Sequence, residues 1–255
     1  MSETINTLPI DYIPASQALT NDIILVTGAG DGIGRVAALT YASHGATVIL
    51  LGRTLAKLEA VYDDIENAGG PQPAIYPMNF EGATEKEYTD LCNALQSEFG
   101  GLSGILHNAS ELGDRMPISD YANDTWARIM QVNANAPFML TKALLPLLHS
   151  SPTGHASVIF TGSSVARQGR AYWGAYAASK AAQENLMQTL ADELDGTSVR
   201  SNSINPGATR TAMRASAYPA EDPQTIKTPE QIMPLYLYLM DKKSIAINGQ
   251  LFNAQ

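Results

Sequence analysis

The stretch IILVTGAGDGIGRVAALTYASHG, residues 23–45, changes its backbone preference twice. Ile23–Thr27 is a short β-branched run, the composition of a strand covered on both faces. A glycine-rich turn follows, and from Gly32 to His44 the pattern is helical until Gly45 stops it. A second apolar run, TVILL at 47–51, comes next. Strand, turn, helix and strand within thirty residues make a βαβ unit, and such a unit needs a parallel pair with a right-handed crossover.

The alternation continues outward from this unit. TLAKLEAVYDDIENA (54–68) is helical and stops at GGPQP. AIYPM (74–78), GILH (104–107), SVIFT (157–161) and SVRSNSIN (198–205) read as strands, and the chain closes on a last one in GQLFNAQ. Helical stretches at about 84–98, 122–149 and 172–194 separate them. The expectation is an α/β protein: a single-domain, Rossmann-type, doubly wound parallel sheet of about seven strands. Residues 1–21 read as an irregular N-terminal arm, and 22–255 as one dinucleotide-binding and catalytic domain. Pro137 and Pro146 fall inside the 122–149 pattern and predict a kink or break.

Composition narrows the function. With 255 residues and a net charge of −9, the chain lacks the clustered basic surface that nucleic acid or an anionic membrane requires. No run approaches the ~18 apolar residues of a membrane-spanning helix, and the first residues resemble no targeting segment. Cys92 is the only cysteine, so no internal disulfide is possible, which suits a reducing cytoplasm. No His, Cys and acid cluster has metal-ligand spacing.

TGAGDGIG (27–34) sits where a diphosphate rests on backbone N–H groups at a helix start. Gly28, Gly32 and Gly34 form G-x-x-x-G-x-G, and Gly30 also fits the start of the commoner G-x-G-x-x-G, so the glycines alone leave the geometry open. Asp31 and Ile33 lie between them. The second strand ends VILLGRT, with no acid to accept from a ribose 2′-hydroxyl. Arg53 stands there instead, and a guanidinium suits a 2′-phosphate. NADP(H) is therefore favoured, with NAD(H) possible and a plain surface arginine the alternative. Arg35 can assist, whereas Asp31 adds negative charge nearby.

YWGAYAASK (172–180) places Tyr176 and Lys180 one helical turn apart among small residues. An ammonium beside a phenol favours the phenolate and lowers a pKa of ~10 toward useful acid–base chemistry. Tyr238 and Lys242 have the same spacing. Only Tyr176 has a serine at a strand end ahead of it, Ser163 of TGSS, so Tyr238 reads as a packing residue. Ser164 is the alternative serine if the register shifts by one.

In this order the motifs resemble the short-chain dehydrogenase/reductase family over about residues 22–253, and look closest to an uncharacterised bacterial oxidoreductase branch. The family's Asn-Ala-Gly element matches Asn108-Ala109-Ser110, with serine in place of glycine. Its catalytic Asn, Ser, Tyr and Lys match Asn133, Ser163, Tyr176 and Lys180. Its Pro-Gly element matches NPGATRT, giving Pro206, Gly207, Thr209 and Thr211 to the nicotinamide side. Asn79, followed by Phe80, stands where the family often has an adenine-touching Asp. The resemblance implies hydride transfer between nicotinamide and a carbonyl or alcohol. Tyr176 is then the acid/base, Lys180 holds the ribose, Ser163 orients the substrate oxygen, and Asn133 holds a water that links Lys180 to solvent. It also implies a homodimer or homotetramer and a substrate loop at about 209–231. In and around that loop Met213, Tyr218, Trp173 and Met116 offer apolar surface, and Arg214 faces either an anionic substrate or solvent.

Two other classes are weighed. GSSVA (162–166) falls one residue short of a hydrolase nucleophile elbow, and all four histidines precede Ser164, where that fold needs one after it. A catalytically silent dinucleotide-binding sensor or scaffold would not need both Tyr176 and Lys180.

Overall fold

The computed structural model describes residues 5–255. The strands are β1 (Ile5–Asn6), β2 (Ile23–Thr27), β3 (Thr47–Gly52), β4 (Ala74–Pro77), β5 (Gly104–His107), β6 (Ala156–Thr161), β7 (Val199–Asn205) and β8 (Leu251–Asn253). They form one 8-stranded sheet in the order β1-β8-β7-β6-β5-β2-β3-β4, with every pair parallel. The helices are α1 (Gly32–Ser43), α2 (Leu55–Asn67), α3 (Glu85–Phe99), α4 (Asn123–Met130), α5 (Ala136–His149), α6 (Gly174–Glu193), α7 (Ala212–Ala217) and α8 (Pro229–Met240).

Successive strand residues feed opposite faces, and both faces are covered. Ile24 and Val26 of β2 pack with Ala37 and Tyr41 of α1 and Tyr236 of α8. Leu25 of the same strand packs on the other side with Leu140 and Leu144 of α5 and Met187 of α6. Continuous apolar runs in the sequence therefore become strands buried from above and below.

Two expectations need correction. The strand missing from the expected seven is β1, inside the arm read as irregular, where Ile5 and Asn6 pair with Leu251 and Phe252 of β8. A two-residue strand carries no periodicity and exists only through its partner. Residues 1–4 of the arm lie outside the described residues. The helical pattern at 122–149 is interrupted ahead of Pro137 alone: Gln131–Asn135 forms a π turn, and the Ala136 N–H reaches back five residues to the Gln131 carbonyl. Pro137 has no N–H to offer the Asn133 carbonyl, so the regular ladder cannot pass that point. Pro146 lies near the end of α5, which runs on to His149.

Candidate active site

The chain runs outward from β2 to β3 and β4, then returns to start again at β5 on the other side of β2. That reversal opens a crevice at the strand C-termini, the usual ligand place in such sheets. A cleft of about 710 Å³ lies there, lined by the turns after β2, β3, β5, β6 and β7.

Among the expected cofactor residues, Gly28, Gly30, Asp31, Gly32 and Ile33 line this cleft. Arg53, Asn79, Phe80, Asn108, Ala109, Pro206, Gly207, Thr209 and Thr211 line it too. Gly34 lies beneath the turn: a Cβ there would meet the Gly28 carbonyl oxygen at 2.3 Å, so only glycine lets α1 start this close to the strand. Asp31 caps α1 through Oδ1, which accepts from the Gly32 N–H at 2.8 Å. Its Oδ2 takes Lys57 Nζ at 2.5 Å, and Lys57 holds the carboxyl below its ordinary range. The negative charge expected near a phosphate is thus already compensated. Sequence reading missed Lys57, whose signal was its place four residues after Arg53, on the first turn of α2.

Arg53 donates to Glu111 Oε1 at 2.9 Å, and Glu111 also accepts from Arg128. Arg53 follows β3 and Glu111 follows β5, so this pair spans the crevice over the end of β2. Thr27 Oγ1 accepts from the Asn108 and Ala109 N–H groups at 2.9 and 3.0 Å. The Asn133 amide, carried by the π turn, takes the Glu111 N–H and donates to the Glu111 carbonyl, both at 2.8 Å. Asn133 also donates to Ser179 Oγ at 3.1 Å, so its side chain braces the loop after β5.

Tyr176 and Lys180 lie on α6, with the Lys180 Nζ 5.7 Å from the Tyr176 ring centre. Lys180 donates to the Thr161 carbonyl at 2.8 Å and to Gln183 Oε1 at 2.9 Å. Burial drives its pKa down to about 7, with Glu184 pulling the other way. Burial also pushes the Tyr176 phenol up to about 12, opposed by the hydroxyls of Ser110 and Ser163. In the protein alone, burial outweighs the influences that lower the phenol's pKa. An ammonium that titrates near neutrality carries only part of a charge, and desolvation of the phenol outweighs it. Ser163 is the TGSS serine whose hydroxyl faces the phenol; Ser164 lines the cleft and is exposed.

The depressed Lys180 pKa links to stability. Between about pH 7 and the ordinary lysine value, the unfolded chain binds the proton that the folded chain releases. Stability should therefore rise with pH from about 7, by up to ~1.4 kcal/mol per unit for one proton. Urea unfolding of wild type and Lys180→Met at neutral and mildly alkaline pH checks this. A slope that survives in the variant would show that Lys180 is not its source.

Beyond Tyr176 the cleft turns apolar. Val165, Trp173 and Ala217 cluster with Leu112, Tyr176 and Tyr218. Met213 lines the wall, whereas Met116 does not. The Arg115 guanidinium lies 4.8 Å from the Trp173 ring centre and 5.0 Å from that of Tyr218, and it donates to the Ala217 carbonyl. Arg214 also lines the cleft, and its charge is paired with Glu221 at 2.6 and 2.5 Å. Tyr238 sits in the core of α8 against Tyr12, and Lys242 lies beyond the helix end. Among the described residues no group of three or more His, Cys, Asp or Glu side chains is placed to hold a metal ion, and no helix is long and apolar enough to cross a membrane.

A family model described as short chain dehydrogenase matches residues 22–222. The chain belongs to the short-chain dehydrogenase family. It is 54% identical over 244 residues to the uncharacterized oxidoreductase YciK of Escherichia coli, covering 96% of each chain. A short chain dehydrogenase structure from Pseudomonas syringae superposes with a TM-score of 0.94 at 56% identity, covering 96% of this chain and 99% of that one. Another, from Shigella flexneri and complexed with NADP, gives 0.92 at 53% identity, covering 94% and 100%. The short-chain dehydrogenase framework accounts for the parallel sheet and its crevice, and Ser110, Glu111 and Lys57 all line that cleft.

Proposed function

We propose that this short-chain dehydrogenase transfers a hydride between a nicotinamide dinucleotide, with NADP(H) favoured, and a carbonyl or alcohol substrate. The observation that carries the reading is Tyr176: its phenol lies in the cleft wall between the dinucleotide-side turns and the apolar end, flanked by Ser163 and buried Lys180. The cleft fits the cofactor, since Gly34 allows close backbone approach and Lys57 neutralises Asp31. The relative solved with NADP supports the same choice.

The glycine turn and the Pro206–Thr211 turn would hold the dinucleotide, with Arg53 at the 2′-phosphate. When bound, the cofactor supplies or accepts the hydride. In reduction Tyr176 gives its phenolic proton to the oxygen that becomes a hydroxyl; in oxidation its phenolate takes that proton back. Ser163 orients this oxygen by hydrogen bonding. Lys180, titrating near neutrality, passes protons toward Tyr176 and holds the ribose. Asn133 acts by fixing the loop that carries residues 110 and 111. The apolar wall suits a substrate with an apolar body beside its carbonyl. A cytoplasmic homodimer or homotetramer belongs to the same proposal, supported by exposed Trp126 on α4 and Phe138 on α5.

Saturating NADPH should raise the melting temperature, because a ligand at ~100 times its Kd adds about 2.7 kcal/mol to the folded state. Differential scanning fluorimetry reads this without a substrate. No shift with NADPH or NADH at millimolar concentration would count against the dinucleotide site itself.

A further inference from the structure

Ser110 presents a buried hydroxyl whose polar neighbour is the Tyr176 phenol. Its Oγ is closed off from solvent, although the residue lines the cleft, and makes no well-formed hydrogen bond, standing only within reach of the Tyr176 oxygen. Buried polar atoms are almost always paired, because an unmade hydrogen bond leaves desolvation uncompensated. Other serine hydroxyls without a well-formed bond, those of Ser201 and Ser203, sit within β7 and do not line the cleft.

The backbone gives residue 110 no slack. On one side the Ala109 N–H is bound to Thr27 Oγ1 at 3.0 Å. On the other, the Asn133 amide grips Glu111 at both its N–H and its carbonyl. The hydroxyl is therefore aimed by clamps from β2 and from the π turn, and it faces the Tyr176 phenol together with Ser163. Glycine at this position, as in the Asn-Ala-Gly element the sequence resembles, would follow the same path and leave no hydroxyl to pair. The loop itself thus gives no reason for serine.

We infer that Ser110 is a further catalytic residue, whose Oγ–H donates to the Tyr176 oxygen when that oxygen is negatively charged. The inference rests on Tyr176 being the acid/base. In alcohol oxidation the substrate hydroxyl proton moves to the Tyr176 oxygen and the hydride leaves from carbon; Ser110 keeps its own proton and supplies one hydrogen bond. Lys180 donates to the Thr161 carbonyl and Gln183 and stands 5.7 Å from the Tyr176 ring centre, so a direct donor to the phenolate has to come from the hydroxyls beside it. A hydroxyl that serves a charge bonds weakly at rest and tightens when the phenol ionises.

The test compares wild type, Ser110→Ala, Ser110→Thr and Tyr176→Phe. With an alcohol substrate and NADP⁺, the rising limb of kcat against pH should move up by about one unit in Ser110→Ala, an approximately 10-fold loss on the limb. Ser110→Thr should restore it. NADPH affinity and melting temperature should stay near wild-type values, since no well-formed hydrogen bond is removed. A second readout needs no substrate: with ¹³C-ζ tyrosine labelling, the Tyr176 resonance is the one missing in Tyr176→Phe, and its onset of ionisation should come later in Ser110→Ala. An unmoved limb or an unmoved onset would overturn the inference, as would a loss of NADPH affinity or stability that accounts for the rate. If Tyr176→Phe itself kept wild-type turnover, the failure would lie in the reading of Tyr176.

Discussion

Tyr176→Phe should lose about 10²- to 10⁴-fold in kcat, the usual contribution of a placed proton donor, while binding NADPH as wild type does. The ring, its packing against Trp173 at 5.7 Å and its place over Lys180 all remain in the phenylalanine variant. Only the oxygen facing Ser110 and Ser163 is removed. A stopped assay of NADPH consumption against a panel of aldehydes, ketones and quinones, paired with fluorescence titration of NADPH, separates the two effects. Tyr238→Phe is the control. That tyrosine packs on Tyr12 in the core and its Lys242 lies past the helix, so kcat should stay within a few-fold. A large loss at Tyr238 without misfolding, or full activity without the Tyr176 hydroxyl, would reverse the assignment.

The two tyrosines also show what the sequence can carry. Spacing alone does not separate Tyr176 from Tyr238; the serine at a preceding strand end does, because strand ends converge on one edge of a parallel sheet. For the same reason the strands and the glycine turn were legible, each being a local pattern. The two-residue β1 was not, since it exists only by pairing with a strand about 245 positions away. Glu111 and Ser110 were partly hidden. The serine was visible as a departure from a motif, but the aim of its hydroxyl depends on Thr27 and Asn133 gripping its neighbours across the fold. Nor could the direction of the Tyr176 and Lys180 shifts be read from spacing. Proximity on a helix predicts attraction, whereas depth of burial decides the sign, and burial is a property of the whole packed sheet.

Burial decides the cofactor question in the opposite sense, because the cation involved is exposed. The Arg53 side chain is 65% exposed, and its partner Glu111, 17% exposed, is also neutralised by Arg128, so the Arg53 pair is worth only about 1 kcal/mol. A charge-assisted bond to a 2′-phosphate is worth roughly 1.5–3 kcal/mol, so the phosphate should win Arg53 from Glu111. NADPH should accordingly bind about 10- to 100-fold more tightly than NADH, at ~1.4 kcal/mol per factor of ten. Arg53→Ala should erase most of that preference by weakening NADPH and leave NADH nearly unchanged. High salt should narrow the gap in wild type, since exposed charges are screened. Lys57 supplies the contrast. Its removal uncovers Asp31 beside the glycine turn, where either dinucleotide would bring its diphosphate, so Lys57→Ala should weaken both cofactors alike. Calorimetric titration of NADPH and NADH into wild type, Arg53→Ala and Lys57→Ala resolves the two roles. Equal affinities in wild type, or an equal loss of both cofactors in Arg53→Ala, would show that Arg53 does not read the phosphate.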